Sequence, residues 1–176
     1  MDVSDWVSSM GGPLVVVPVS ALREWQGCTP QGRILGGGEV ADDYDRACAV
    51  EELAGPVPVG GKGPQALVLG EEPATTCFLP EHRAFVRWLA ADSEDELIAA
   101  ARAVLDDSAT SWVDCGTWVT DGPAMLLDSA NAGSDLDSLG PEKAAVDLPA
   151  GNWAVRAIHT QVDDETWVGV VRLASE

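Results

Sequence analysis

The sequence predicts an α+β fold of mainly antiparallel strands with one principal helix. Short apolar runs rich in β-branched residues recur along the chain, Gly- and Pro-rich turns separate them, and one segment carries a long helical pattern. The chain has 176 residues, of which 46% are hydrophobic. This length and composition suit a single domain over residues 1–176 that buries a sizeable core.

The first half reads as strands, short helical turns and glycine-rich connections. The unbroken β-branched run 14–17 lies between two prolines and predicts a short buried strand. Ser20 is placed to cap a brief helix, and Asp42 or Asp43 to cap one helical turn that ends near Cys48. The further strands predicted in this half are 57–59, 65–69, 75–79 and 84–90.

The strongest helical pattern covers residues 94–105. Ser93, with Glu96 three residues later, has the pattern of a capping box, and the apolar side chains behind it repeat at helical spacing. The second half predicts strands near 112–119 and 123–127, a mobile polar loop over 131–143, and a terminal hairpin of strands 153–160 and 166–173 that turns at 162–165.

Two stretches of the chain repeat the same order of features. A tryptophan, a Gly-Pro pair and an apolar run occur in residues 6–17 and again in residues 118–127. One interpretation is an internal duplication, residues 6–107 and 118–174, that gives two similar β-rich halves. The other is a chance match of common strand-entry chemistry, since the spacings differ between the copies. The sequence leaves both interpretations open.

The charge of the chain restricts its partners. With 29 acidic and 10 basic residues the net charge is −19, which repels nucleic acid and anionic lipid head groups. The same charge speeds encounter with a basic partner. Solubility alone is the alternative reason for such a surface.

The cellular compartment is also indicated. No apolar run approaches the ~20 residues that cross a bilayer, and the first 20 residues contain no basic side chain. Cys28, Cys48, Cys77 and Cys115 show neither the spacing of a metal site nor a Cys-x-x-Cys pair. We therefore expect a soluble cytoplasmic protein whose cysteines are reduced and buried.

No catalytic residue, metal ligand or cofactor site is predicted. His82 and His159 stand in no recognisable constellation, and the loop 60–63 lacks the residues that a phosphate-binding loop requires. Asp135 and Asp137 begin like a calcium loop, but the later ligand positions are apolar. An enzyme centred on His159 is the weakest of the functions considered.

Two acidic segments are candidates for partner binding. Asp42, Asp43 and Asp45 surround Tyr44, an arrangement suited to holding arginine or lysine of a partner beside an aromatic anchor. The alternative is a structural junction, because Arg46 follows immediately and can pair with these carboxylates.

The second acidic segment is the turn of the predicted terminal hairpin. Asp163, Asp164 and Glu165 lie next to Trp167, which we expect to be an exposed contact residue. The chain has seven tryptophans, most of which should anchor the core. They also suggest an alternative function, a small-molecule-binding or sensor domain with a tryptophan-lined pocket.

An ordered series of motifs links the chain to a known family. The motifs are Trp6 before Met10-Gly11-Gly12-Pro13, Ser20-Ala21-Leu22-Arg23-Glu24-Trp25, Gly36-Gly37-Gly38, Asp43-Tyr44-Asp45-Arg46-Ala47-Cys48, Ala66-Leu67-Val68-Leu69-Gly70, Leu79-Pro80 with Val86-Arg87-Trp88, Leu148-Pro149 with Trp153, and Thr166-Trp167-Val168-Gly169.

As a series, these motifs resemble the Immunity protein 21 family of bacterial polymorphic toxin systems. The resemblance implies a cytosolic antidote that binds a cognate toxin stoichiometrically and neutralises it. It implies no enzymatic activity and no cofactor. A basic, nuclease-like toxin would suit the acidic charge of the chain.

Overall fold

The computed structural model describes residues 5–70, 73–138 and 142–176. Ten strands form two five-stranded antiparallel sheets, which confirms the predicted α+β class. The strands are β1 Leu14–Pro18, β2 Ala54–Pro58, β3 Gln65–Leu69, β4 Thr76–Leu79, β5 Ala84–Ala90, β6 Val113–Thr120, β7 Ala124–Asp128, β8 Lys143–Val146, β9 Gly151–Gln161 and β10 Trp167–Ser175. The α-helices are α1 Asp43–Cys48 and α2 Glu94–Asp106, and the 3₁₀ helices are Val19–Glu24, Val59–Gly61 and Gly133–Ser138.

Each sheet combines strands from both halves of the sequence. Sheet 1 has the order β2-β3-β1-β7-β8, and sheet 2 has the order β4-β5-β10-β9-β6. The strands that follow the two Gly-Pro motifs, β1 and β7, lie side by side with Val16 opposite Leu126. An internal duplication would place them in this way, and the duplication itself stays a prediction.

The main core lies between the two sheets. Its largest members include Trp118 and Trp153 from sheet 2 and Leu67 and Leu126 from sheet 1. Along β10, Val171 and Leu173 face this core, whereas Val168 and Val170 face the other side of sheet 2. The strict alternation explains why both faces of the sheet are apolar.

Helices cover the outer faces of both sheets. Helix α2 packs Leu97, Ala101 and Val104 against sheet 2. Its N-terminus is fixed by Ser93, whose Oγ accepts a hydrogen bond from the backbone N–H of Glu96 at 3.2 Å. On sheet 1, the outer face is covered by the 3₁₀ helix Val19–Glu24, α1 and neighbouring loops, with Trp25 at the centre. The fold therefore has four layers, and neither α-helix of the described residues is long and apolar enough to cross a membrane.

Two local predictions were wrong. Much of the segment 131–143, expected to be a mobile loop, is ordered as the 3₁₀ helix Gly133–Ser138 and the start of β8, while residues 139–141 lie outside the described ranges. The order has a physical basis, because Gly133 N–H donates to the Trp25 carbonyl at 2.8 Å and β8 pairs with β7. Ser20 does not cap the first 3₁₀ helix, since its Oγ donates instead to Asp121 at 2.9 Å.

The expectation of four buried thiols was correct for only two cysteines. Cys77 and Cys115 are buried, whereas Cys28 and Cys48 are exposed, and all four are free of disulfide bonds. Cys48 ends helix α1 and Cys28 lies in a loop before it, both in the layer outside sheet 1.

Candidate functional site

The acidic segment 42–45 begins helix α1 with a reciprocal capping box. Asp42 Oδ1 accepts from the backbone N–H of Asp45 at 2.8 Å, and Asp45 Oδ2 accepts from the backbone N–H of Asp42 at 3.0 Å. A short helix forms here because two donors that the first turn leaves unpaired are both satisfied.

The same carboxylates bind loops that are distant in sequence. Asp42 accepts from Thr29 N–H at 2.7 Å, and Asp45 accepts from Arg33 N–H at 2.7 Å and from Ile34 N–H at 2.9 Å.

Asp43 joins a third set of groups. It accepts from the backbone N–H of Gln26 at 2.8 Å and of Gly60 at 2.9 Å, and it forms an ion pair of 2.6 Å with Arg46. With only 2% of its surface exposed, the Asp43 side chain has no open face for a partner.

The electrostatics of Asp45 agree with this geometry. Burial alone would raise its pKa, but the hydrogen bonds from the backbone N–H groups of Arg33, Asp42 and Ile34 outweigh burial and lower the pKa to about 2. The carboxylate is therefore ionised, and hydrogen bonds from within the fold stabilise its charge. These contacts support the structural alternative for the cluster, and its role in partner binding stays a prediction.

Tyr44 is buried with the cluster. Burial first, and then a hydrogen bond with Cys48, raise the pKa of Tyr44 to about 12. The ring also covers Gly12, where an added Cβ would lie 2.5 Å from a ring carbon. Tyr44 thus holds the approach to β1 in place, and its ring is not displayed on the surface as an aromatic anchor.

The acidic cluster holds a loop whose exposed apolar side chains were not predicted from the sequence. The segment fixed by Asp42 and Asp45 carries three exposed aliphatic side chains, Ile34 at 53%, Leu35 at 59% and Val40 at 65% exposure. The available signal was an apolar pair placed between glycines, which is unusual for a solvent-facing turn.

The second acidic segment forms the exposed turn between β9 and β10. Asp163 Oδ1 accepts from the backbone N–H groups of Glu165 at 2.9 Å and Thr166 at 2.8 Å, which closes the turn. The Glu165 N–H contributes most to lowering the pKa of Asp163. Asp164 and Glu165 project into solvent.

Trp167 is exposed at 45% of its surface. Its neighbour Val168 is fully buried and packs toward α2, so Trp167 points to the other face of the strand. The hairpin therefore offers carboxylates at its turn and an aromatic ring beside them.

A groove runs between α2 and the hairpin, and we call it the acidic groove. It consists of two adjoining clefts of about 640 and 410 Å³ that share Ala103 and Val162. Its five carboxylates are Glu96, Asp107, Asp163, Asp164 and Glu165. Its apolar lining consists of Ala99, Ala100, Ala103, Val104, Ile158 and Val162.

No basic side chain lines the acidic groove within the part of the chain that the structure describes. Small alanines on α2 let a partner approach the helix backbone closely, while the carboxylates project from both walls. This chemistry suits a protein segment that carries lysine or arginine together with aliphatic side chains.

The two predicted acidic segments are not brought together. The segment 42–45 belongs to the layer outside sheet 1, whereas the hairpin turn borders α2 outside sheet 2. Glu96, Asp107 and the alanines of α2 were not predicted as site residues, because the register of the helix against β9 is set by tertiary packing.

Three tryptophans lie in the hydrophobic core. Trp25, Trp118 and Trp153 are buried among aliphatic side chains. Four surface clefts of the described residues have volumes of about 210, 640, 410 and 400 Å³, and none of these four is lined by a tryptophan.

The two histidines lie apart on sheet 2. His82 is in the turn between β4 and β5, where its backbone N–H donates to the Leu79 carbonyl at 3.2 Å. His159 lies in β9 opposite Gly169. The strand register separates the two side chains along the sheet, so they do not form one site.

Comparisons with known proteins identify one family. The model of the family Immunity protein 21 matches residues 5–166, which is most of the chain. Searches of curated proteins and of solved structures found no match.

Proposed function

Because this chain belongs to the Immunity protein 21 family, we propose that it binds a cognate bacterial toxin domain and neutralises it by stoichiometric protein–protein interaction. The family match over most of the chain is the observation that carries this proposal. Inhibition then depends on occupying a surface of the toxin, and no bond of the toxin or its substrate is broken by this protein.

The acidic groove and the adjoining hairpin are the proposed contact surface. Its five carboxylates, unopposed by any basic lining residue among those described, attract a basic surface and slow its release. The net charge of −19 adds long-range steering, which raises the association rate at low ionic strength.

The size of the groove defines its part in the interface. A typical stable complex buries about 800 Å² on each partner, roughly a tenth of the 8728 Å² accessible surface of this chain. The groove accommodates the side chains of one strand or helix, and flanking surfaces supply the rest. Trp167 is the flanking residue best suited to be a binding hot spot, because tryptophan is enriched among the residues that contribute most to binding energy.

The charge also favours one kind of toxin. Enzymes that cleave nucleic acids carry basic clefts for phosphates, and a row of carboxylates can occupy such a cleft in place of the substrate. We therefore propose a basic, nuclease-like toxin domain as the partner. Nucleic acid and anionic membranes are not proposed as direct ligands, since the same charge repels them.

The cytoplasm is the proposed location. An antidote must be present where the toxin would act on its own cell, and four cysteines without a disulfide bond fit a reducing compartment.

Association kinetics with the toxin domain encoded beside this chain's gene test the proposed surface. Asp164→Asn and Glu165→Gln should together slow association several-fold and flatten its dependence on salt, because both carboxylates are exposed in the groove. Asp137→Asn, an exposed carboxylate outside the groove, is the matched control and should leave the rate unchanged. Equal rates for the double variant and the control would place the contact surface elsewhere.

A further inference from the structure

Two arginines lie side by side on the outer face of sheet 2. Arg156 in β9 is directly opposite Arg172 in β10. Directly opposed side chains of antiparallel strands share one face, with Cβ atoms about 4.5–5.5 Å apart. Two like charges in this position repel each other.

Neither arginine forms an ion pair with a carboxylate of the described residues. Within residues 5–70, 73–138 and 142–176, ion pairs join Arg46 to Asp43 and Arg102 to Glu81. Asp114 lies opposite Arg156 in β6, but its Oδ1 accepts a hydrogen bond from Gly116 N–H at 2.9 Å. In the described part of the chain, the two guanidinium groups thus lie side by side without an ion pair.

Trp112 fixes the orientation of one of the two groups. The guanidinium carbon of Arg172 lies 4.4 Å from the centroid of the Trp112 ring, a cation–π contact. Its Nε is buried and has no hydrogen-bond partner among the described residues. Burial, and then the charge of Arg156, lower the pKa of Arg172. A stacked, planar donor group is thereby held ready for a bidentate acceptor.

The pair lies outside the acidic groove, beyond its end farthest from the hairpin turn. Ile158, two residues from Arg156 and on the same face of β9, lines the groove, and Val162 lines it beside the acidic turn. Strand geometry puts Arg156 and Val162 about 20 Å apart. The outer face of sheet 2 therefore carries the acidic groove, including Asp107 in the cleft that contains Ile158, and the arginine pair just beyond that cleft.

We propose that the arginine pair, Arg156 and Arg172, receives a carboxylate of the toxin domain that occupies the acidic groove, an inference that rests on the proposed function. The toxin segment then presents basic side chains at the hairpin end and an aspartate or glutamate at the other. This polarity fixes the direction in which the segment lies. A uniformly basic segment is rejected by the arginines, which gives specificity against unrelated basic proteins.

The test compares affinities of the intact chain and its variants for the toxin domain encoded beside its gene. Arg156→Gln should weaken binding at least tenfold, because a buried carboxylate of the toxin loses its partner. Arg172→Lys keeps the charge but loses the planar fork, and it should also weaken binding. Arg102→Gln, at an exposed arginine on another side of α2, is the control and should change affinity less than twofold.

Thermal melting of the variants is the control for correct folding. Arg156 is exposed, and its replacement removes a repulsion, so Arg156→Gln should melt no lower than the parent chain. A double-mutant cycle identifies the carboxylate of the toxin that binds the arginine pair. Replacing that carboxylate with its amide should weaken binding to the parent chain and cause no further loss of affinity for Arg156→Gln.

Two results would overturn the inference in different ways. If the parent chain binds the toxin domain and Arg156→Gln binds as tightly as Arg102→Gln, the arginine pair has no such role and the proposed function stands. If the parent chain does not bind the toxin domain, the proposed function fails and this inference fails with it.

A titration without the toxin separates the kinds of anion. Acetate should shift the nuclear magnetic resonance signals of the Arg156 and Arg172 side chains in labelled protein, with no shift in Arg102. A response to inorganic phosphate but not to acetate would contradict the proposal, because a carboxylate is the group that it names.

Discussion

Asp42 and Asp45 each accept a hydrogen bond from the backbone N–H of the other, at 2.8 and 3.0 Å. Their remaining lone pairs hold the loop that contains Thr29, Arg33 and Ile34. A segment that looks in sequence like an acidic surface is thus a buried connection between a helix and a loop. Its carboxylates face inward, where they accept hydrogen bonds from three backbone N–H groups of this loop.

Replacing Asp45 with asparagine should destabilise the fold. The amide keeps one acceptor oxygen but turns an N–H group toward backbone donors, and each unsatisfied buried donor costs about 1–3 kcal/mol. Urea unfolding measures this loss, and Asp164→Asn, at an exposed turn, is the matched control with almost no expected effect. Unchanged stability together with slower toxin association would assign Asp45 to the binding surface instead.

Acid should weaken the fold through the same residue. The pKa of Asp45 falls from 3.8 to about 2 on folding, so its contribution is complete above about pH 4 and is lost as the pH falls toward 2. The contribution amounts to roughly 2 kcal/mol. The difference in unfolding free energy between the parent chain and Asp45→Asn should therefore narrow between pH 4 and pH 2. A constant difference over this range would show that ionisation of Asp45 does not stabilise the fold.

Trp167→Ala should separate binding from folding. The ring is exposed at 45%, so the variant should melt close to the parent chain while losing about 2 kcal/mol or more of toxin affinity. Trp118→Ala is the matched control, because that ring is fully buried and its loss should cost about 3–5 kcal/mol of stability. Full affinity of Trp167→Ala would limit the interface to the groove side of the hairpin.

Deletion of the residues after Glu165 should prevent folding. It removes β10, the central strand of sheet 2, which pairs with β5 on one side and β9 on the other. The loss exposes the edges of both neighbouring strands and opens the main core. A whole domain has a net stability of only about 5–15 kcal/mol, which is too small to tolerate this loss. Insoluble or non-cooperatively melting protein is expected, and a soluble truncation that still protects cells would contradict the fold assignment.

Local patterns in the sequence predicted most elements of the fold. Ser93 gave the start of α2, and apolar runs gave the strands, because capping and alternation depend on neighbouring residues. Strand β8 was missed since Ala144 and Ala145 carry little strand propensity, and it forms through pairing with β7. The partition of ten strands into two sheets depends on contacts between distant residues, which one sequence does not display.

The candidate site was predicted only in part. The hairpin turn and the exposure of Trp167 were expected from the run of acidic residues beside it, whereas the groove needs Glu96 beside Asp163, residues far apart in the chain. The inward direction of Asp43 and Asp45 was also beyond sequence reasoning, because the donors that bind them come from loops with no regular pattern. Charge alone predicted acidic surfaces without saying which carboxylates are free.

The most direct test of the central claim is a titration of toxin activity with this protein. A fixed concentration of the cognate toxin domain, well above the dissociation constant, is mixed with increasing amounts of the purified chain. Stoichiometric binding predicts a linear fall in toxin activity that ends at an equimolar ratio, with a complex of the same composition in solution. Complete protection by far less than one equivalent would contradict the account, since it would mean that each molecule of this protein inactivates many molecules of toxin.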